Sequence, residues 1–218
     1  NIEQYNNHYY VARADDSRKD QSYYLWGLSQ EVLRRVVTPM GQKIKSDINP
    51  PHARSKESMG LCFLRGVGYG DFIAQNCPKA LKRGEVVNTL GEVVGMHDGI
   101  ALYTIGQKRG VVGGAVVGID AESNRLIVGE NRDLYKATLE VGACNIVNED
   151  ELLSSPDVQV VVRGFGRNPE GFAKLIESIE GGYRIALDDP AWAPAAGQPV
   201  VFYRGNRVLG GGILERYY

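Results

Sequence analysis

No run in this chain approaches the about 18 to 20 apolar residues that a membrane-crossing helix needs. The start, NIEQYNNHYY, lacks a basic stretch followed by an apolar core, so no secretory signal is read there. No sign of charge dominates either. The net charge of −1 excludes a global basic field that would draw in nucleic acid. A local patch on one face still suffices for RNA. Cysteine is scarce: Cys62, Cys77 and Cys144 are odd in number, widely spaced and without a CxxC. That argues against a disulfide framework and a structural zinc site, and for a reducing cytosol. His8, His52 and His97 fall in no HxH or HxxxH pattern, so no metal site is expected. A P-loop, a Ser–His–Asp set and a Gly-x-Gly-x-x-Gly between strand and helix are missing too.

What is present reads as two small β domains after a helical beginning. The length of 218 residues allows one large or two small domains. Residues 8–14 predict a short strand. Ser17-Arg18-Lys19-Asp20 has the form of a capping box. Leu25, Leu28, Val32, Leu33 and Val36 then fall three and four apart, which predicts an amphipathic helix over 21–37. Thr38-Pro39 ends it. Beyond Gly66 the pattern turns to period two. Hairpins are expected over 85–94, 115–128, 172–187 and 199–214, their turns built from glycine and asparagine. Gly210-Gly211-Gly212 suggests a bend or a close backbone approach. Many short strands favour a closed or nearly closed β structure. A join is expected near 131–136. The first 65 residues read as the tail of a domain whose body lies elsewhere, because nothing downstream obviously covers their apolar stripe.

Three stretches carry chemistry. In ESMGLCFLRG (57–66), Cys62 sits in an apolar run expected to form a strand, where a packed small hydrophobe is the plainer reading. A reactive thiolate would need nearby positive charge, for which Lys56 and Arg65 are close in sequence. Lys19-Asp20-Gln21-Ser22 reads first as a capped helix start. Such a start also presents N–H groups to a phosphate, with Lys19 and Gln21 as added donors. In TIGQKRG (104–110), Lys108 and Arg109 lie on a glycine-bounded loop suited to phosphates. Arg163 and Arg167 repeat that combination, with Phe165 able to stack on an unpaired base.

Taken in order, KDQSYYL (19–25), PMGQKIKSDI (39–48), KESMGLCF (56–63), GDFI (70–73), LGEVVGMHDGIALYTIGQKRG (90–110), NRLIVG (124–129), VVRG (161–164) and AAGQPVVFYRGNRVLGGGIL (195–214) resemble one family. It is the tRNA-specific 2-thiouridylases of bacteria and organelles, and the resemblance spans nearly the whole chain. It implies replacement of O2 of the wobble uridine by sulfur. A domain using ATP and Mg²⁺ adenylates the base, and a cysteine matching Cys62 carries sulfur as a persulfide. A second cysteine in the N-terminal domain assists release and can form a disulfide with the first. By motif, tRNA contacts fall on Lys19, Asp20, Gln21, Arg163, Gly164 and Gln198, and the basic loop adds Lys108 and Arg109. The implied partners are tRNA, a persulfide-relay sulfur donor and the N-terminal ATP-pyrophosphatase domain, in the cytoplasm and away from membranes.

The expected fold is therefore mainly β with a small α/β N-terminal remnant. Residues 1–65 would be the tail of the ATP-pyrophosphatase domain, 66–133 a small central β domain, and 134–218 a C-terminal tRNA-binding β-barrel. The chain begins after the family's Ser-Gly-Gly-x-Asp-Ser motif and N-terminal cysteine, so no ATP is expected on this chain and it is expected to be inactive alone. It departs from the family in a shorter 48–54 segment and in Gly164, where an aromatic commonly follows the arginine. Two rivals stand beside this reading: a stand-alone RNA-binding module, and a tRNA methyltransferase, for which the hairpin pattern offers no methyl-donor site.

Overall fold

The computed structural model describes residues 1–48, 64, 66–164 and 166–218, which form two compact units. The fold is mainly β, as the period-two patterning implies. One unit joins residues 1–48 to 136–218; the other ends at Tyr135.

In the first unit, six strands form one sheet: β7 (Tyr135–Ile146), β8 (Val158–Val161), β9 (Ala173–Ile179), β10 (Gly182–Trp192), β11 (Pro199–Arg204) and β12 (Arg207–Tyr217). Their order is β8-β11-β12-β7-β10-β9. The sheet curls until its edge strands β8 and β9 have Cα atoms within 8 Å of each other, a nearly closed barrel. Leu139, Val141, Val160, Ile185, Val200, Phe202, Leu209 and Leu214 fill its interior. Short helix α3 (Glu149–Ser154) contributes Leu152; Asn148 caps it by accepting from the Glu151 N–H.

Residues 1–48 are built onto this sheet. β1 (Ile2–Tyr5) and β2 (His8–Val11) pair across Asn6-Asn7, both at positive φ as a tight hairpin turn requires. The sequence reading missed β1. Tyr10 enters the barrel core, whereas Val11, Tyr23 and Leu33 pack with Val201, Tyr203 and Val208. The two faces of β11 are thus buried by different partners: Val200 and Phe202 inside, Val201 and Tyr203 under the N-terminal segment.

The continuous helix expected over 21–37 does not form. Two short pieces replace it, a 3-10 turn over Ser22–Leu25 and α1 over Gln30–Leu33. Gly27 interrupts the run, being costly inside a helix by about 1 kcal/mol. Ser29 then caps a fresh start by accepting from the Val32 N–H at 3.3 Å. The break lets Tyr23, Leu25, Trp26 and Leu28 all turn onto the sheet, which no single helical face could do. Val32, expected on the buried stripe, is exposed instead. The expected capping box at Ser17 gives way to Asp16, whose carboxylate accepts from the Arg18 N–H.

The triple glycine marks a close approach. A Cβ on Gly211 would meet the Trp26 ring at 3.1 Å, and one on Gly210 would lie 2.3 Å from the Asn145 carbonyl oxygen. Gly210 also has φ of +141°. Gly210→Ala is expected to destabilise the protein by about 1–3 kcal/mol from backbone strain alone, read as a lower urea midpoint. An unchanged midpoint would mean that β7 and β12 can part without cost.

The second unit is a four-stranded sheet in the order β4-β3-β6-β5. It comprises β3 (Gly84–Asn88), β4 (Val93–His97), β5 (Ala115–Asp120) and β6 (Arg125–Gly129), with β3 and β6 parallel. Helix α2 (Tyr69–Asn76) precedes it. Val86, Val116, Leu126 and Val128 are its core. His97 is 1% exposed. Its Nδ1 accepts from the Gly99 N–H at 3.0 Å and its Nε2 lies 3.1 Å from the Asn124 carbonyl, so it pins two turns.

Candidate functional site

A cleft of about 370 Å³ opens in the first unit where the chain after β2 meets the end of β8. Arg13, Asp20, Tyr23, Arg163, Gly164, Asn168 and Tyr203 line it. It is built around one carboxylate. Asp20 Oδ1 accepts from the Ala14 N–H at 3.0 Å and the Ser22 N–H at 3.1 Å; Oδ2 accepts from the Ser22 hydroxyl at 2.9 Å. Arg13 stands 3.8 Å from the same Oδ2 and stacks on the Tyr203 ring, 3.9 Å from its centroid. Ser22 and Tyr203 hydroxyls meet at 2.9 Å. Asp20 therefore folds the segment back on itself and steers Arg13, and its oxygens are largely engaged in doing so.

The opposite wall is equally fixed. The Tyr23 hydroxyl is shared between the carbonyls of Pro199 at 2.7 Å and Val162 at 3.2 Å. Burial pushes its pKa up to about 12, so it stays a neutral donor. Asn168 accepts from the Val162 and Arg163 N–H groups and donates to the Arg163 carbonyl at 2.9 Å, closing the loop beyond β8. The Arg163 guanidinium donates to the Ala193 carbonyl and lies over the Trp192 ring, 5.1 Å from its centroid. Its Nε is buried without a partner among the described residues. Burial lowers its pKa from the ordinary arginine value.

The structure thus gathers Asp20, Arg163 and Gly164 in one cleft. Lys19 and Gln21 line a neighbouring hollow of about 260 Å³ that shares Asp20. The helix N-terminus expected to present N–H groups there is not formed; Lys19 ends a three-residue 3-10 turn. Gln198 lies at the entry to β11, its Oε1 accepting from the Ala195 N–H at 3.1 Å. Lys108 and Arg109 belong to the second unit. Their loop is held by hydrogen bonds from Gly106 N–H to the Val116 carbonyl and from Gln107 Nε2 to the Arg109 carbonyl. Lys108 Nζ donates to Asn131 at 3.3 Å, and both cations are exposed. Cys62, the strand expected around it and Phe165 lie outside the described residues, apart from Leu64, which is not extended: its carbonyl accepts from the Val67 N–H at 2.8 Å in a turn.

Cys77 and Cys144, which lie in no distinctive motif, differ in their surroundings. Cys144 packs partly against the barrel core, and burial raises its pKa to about 11, leaving an inert thiol. Cys77 is instead exposed, at the C-terminal cap of α2. Both are free thiols. Arg13 and Asn168 went unnoticed, since neither lies in a distinctive motif. Tyr24 was visible only as part of KDQSYYL.

Comparison with known proteins defines first a class: domains of tRNA-modifying transferases. Residues 1–66 match a family model described as tRNA methyl transferase HUP domain, and 70–130 one described as tRNA methyl transferase PRC-barrel domain. Residues 137–214 match an aminomethyltransferase beta-barrel domain. The chain is 36% identical to tRNA-specific 2-thiouridylase MnmA 3 of Bacteroides fragilis, over 98% of this chain and 62% of that protein. It is 33% identical to the tRNA-specific 2-thiouridylase MnmA of Clostridium botulinum, over 98% and 62%. For that of Symbiobacterium thermophilum the figures are 34%, 94% and 55%. The chain belongs to the tRNA-specific 2-thiouridylase family and spans about three fifths of the length of these relatives.

Proposed function

We propose that this chain is the sulfur-carrying and tRNA-gripping part of a tRNA 2-thiouridylase of the cytoplasm. Cys62 holds a persulfide, loaded by a donor protein; its terminal sulfur attacks C2 of the adenylated wobble uridine and expels AMP, and the second cysteine of the N-terminal domain then attacks the Cys62 sulfur, forming a disulfide and releasing the thiouridine. A persulfide is more acidic than a thiol and is a competent nucleophile at neutral pH. The base must leave its stack to reach it. The cleft carries this reading. It brings together Asp20, Arg163 and Gly164, which come from opposite ends of the sequence and match the family's tRNA-contact positions. Arg13 lines the cleft with a guanidinium whose donors suit sugar and phosphate, positioning them without reading sequence.

We assign ATP, Mg²⁺ and base activation to the family's N-terminal domain, as the resemblance implies, rather than to the described residues. Helix α2 carries the Asp71 carboxylate over its own first turn, close to Gly68, which disfavours a phosphate there. No group of three or more His, Cys, Asp or Glu among the described residues is arranged to hold a metal ion.

The descriptions of two matched family models favour a second reading, methyl transfer. A methyl-donor site usually has a glycine-rich turn after a parallel strand, as other doubly wound nucleotide sites do. The parallel strands here lead elsewhere: β3 into the hairpin to β4, and β6 into a 3-10 turn capped by Glu130 and Asp133. Calorimetric binding of the methyl donor would revive that reading.

Binding of tRNA is expected to weaken with salt. Lys108→Ala and Arg109→Ala should each reduce the slope of log K against log[salt] by about 0.7–0.9. Arg163→Ala should weaken binding with little change in slope, because its guanidinium is already engaged with Ala193 and Trp192. An unchanged slope in the double Lys108/Arg109 variant would move the phosphate contacts off the basic loop. Absence of tRNA binding by the wild-type protein would overturn the proposed function.

A further inference from the structure

Tyr24 is 57% exposed, yet it is held firmly. It sits in the 3-10 turn Ser22–Leu25, and its N–H donates to the Gln21 carbonyl at 3.1 Å. Its ring meets the Tyr23 ring edge-on, with centroids 5.2 Å apart and planes at 85°. Tyr23 is itself 7% exposed and fastened through its hydroxyl to Pro199 and Val162. Tyr24 also lies against Gly164. A Cβ on that glycine would come within 2.8 Å of the Tyr24 hydroxyl oxygen and 3.0 Å of both the Tyr24 Cζ and the Tyr23 Cδ1. Gly164 lines the cleft together with Arg13 and Arg163.

We propose that Tyr24 is a stacking platform for an unpaired nucleobase of bound RNA, and that position 164 is glycine because this ring occupies the space a side chain there would need. The inference rests on the RNA-binding reading above and adds a residue and a contact to it. Single-stranded nucleic acid is held by aromatic rings that stack on bases beside cations that take the backbone. An exposed ring costs little entropy on binding when its neighbours already fix it, as Tyr23 and Gly164 do here. The cleft beside it falls within the about 300–1,000 Å³ of small-ligand sites, room for one nucleotide unit.

The test uses the full protein with two probes, an unmodified tRNA transcript and a single-stranded RNA oligomer containing 2-aminopurine. Wild-type protein should bind both and quench the 2-aminopurine by stacking. Tyr24→Ala should lose the quenching and weaken binding about 5- to 150-fold. Tyr24→Phe should behave as wild type. Gly164→Ala should displace the ring and weaken binding in the wild-type background, but cost less in the Tyr24→Ala background, where only the Tyr23 Cδ1 contact at 3.0 Å remains. Unchanged melting temperatures of the Tyr24 variants would show that the fold is intact. If Tyr24→Ala binds both RNAs as tightly as wild type, or Gly164→Ala costs the same with and without Tyr24, the platform is refuted while the RNA-binding reading stands. If wild-type protein binds the oligomer through Tyr24 but not tRNA, the functional reading fails and the platform survives. If it binds neither RNA, both fall.

Discussion

Cys62→Ser in the natural full-length protein is expected to abolish formation of 2-thiouridine, with a loss of about a thousandfold or more, as for removal of a covalent nucleophile. Binding of tRNA should change by no more than about twofold, since sugar and phosphate contacts are assigned to other residues. Mass spectrometry of tRNA nucleosides and a binding titration read the two effects separately. The other cysteines are the controls. Cys144→Ser should leave thiolation intact, because a thiol whose burial raises its pKa to about 11 is protonated at neutral pH. Cys77 is the sharper comparison, being exposed and free. Were Cys77→Ser to abolish thiolation while the Cys62 variant remained active, the carrier would be Cys77.

Glu151→Ala is expected to cost about 3–5 kcal/mol of folding stability, the range for removing one partner of a buried ion pair. Glu151 Oε2 accepts from the Tyr10 hydroxyl at 2.7 Å. Its Oε1 accepts from Arg207 at 3.1 Å and Arg204 at 3.4 Å. Glu151 and Arg207 side chains are only 11% and 16% exposed. Arg207 lies over the Tyr5 ring at 3.9 Å, and one of its terminal nitrogens already lacks a hydrogen-bond partner among the described residues. The alanine would leave this guanidinium without its counter-ion. Arg204 would keep Asp157 at 2.9 Å. Burial first, then the Glu151 hydrogen bond and charge, raises the Tyr10 pKa. A spectrophotometric titration should therefore show Tyr10 ionising at lower pH in the variant. Denaturant unfolding gives the stability change. A loss below about 1 kcal/mol would mean that the hairpin β1–β2 is fastened by apolar packing alone.

The hairpins were legible because their cause is local. Gly181-Gly182 and Gly205-Asn206 sit between runs of alternating residues, and the turns form where these residues admit unusual φ. Asn6-Asn7 carries the same signal for β1, and it went unread. The fate of 21–37 was not legible from periodicity. The spacing of Leu25, Leu28, Val32 and Leu33 fits a helix, but a helix of that length is marginal without a surface to pack on. The surface that exists, the outer face of β11 and β12, accommodates Tyr23 and Trp26 only if the run is broken. A clue lay in VVFY (200–203): an unbroken apolar run in a strand announces burial on both faces. The missing cover for the N-terminal segment and the missing cover for β11 were each other.

The sequence by itself determined the mainly β character, most hairpin boundaries, the glycine approach at 210–212 and, through its motifs, the family. Each follows from residue chemistry acting over a few positions. Only the tertiary structure decided that residues 1–48 share a unit with 136–218, that Asp20 and Arg163 face one cleft, and that Tyr24 fills the space over Gly164. Those juxtapositions join residues far apart in the chain. They depend on which apolar faces find each other when the barrel closes, which no local propensity encodes.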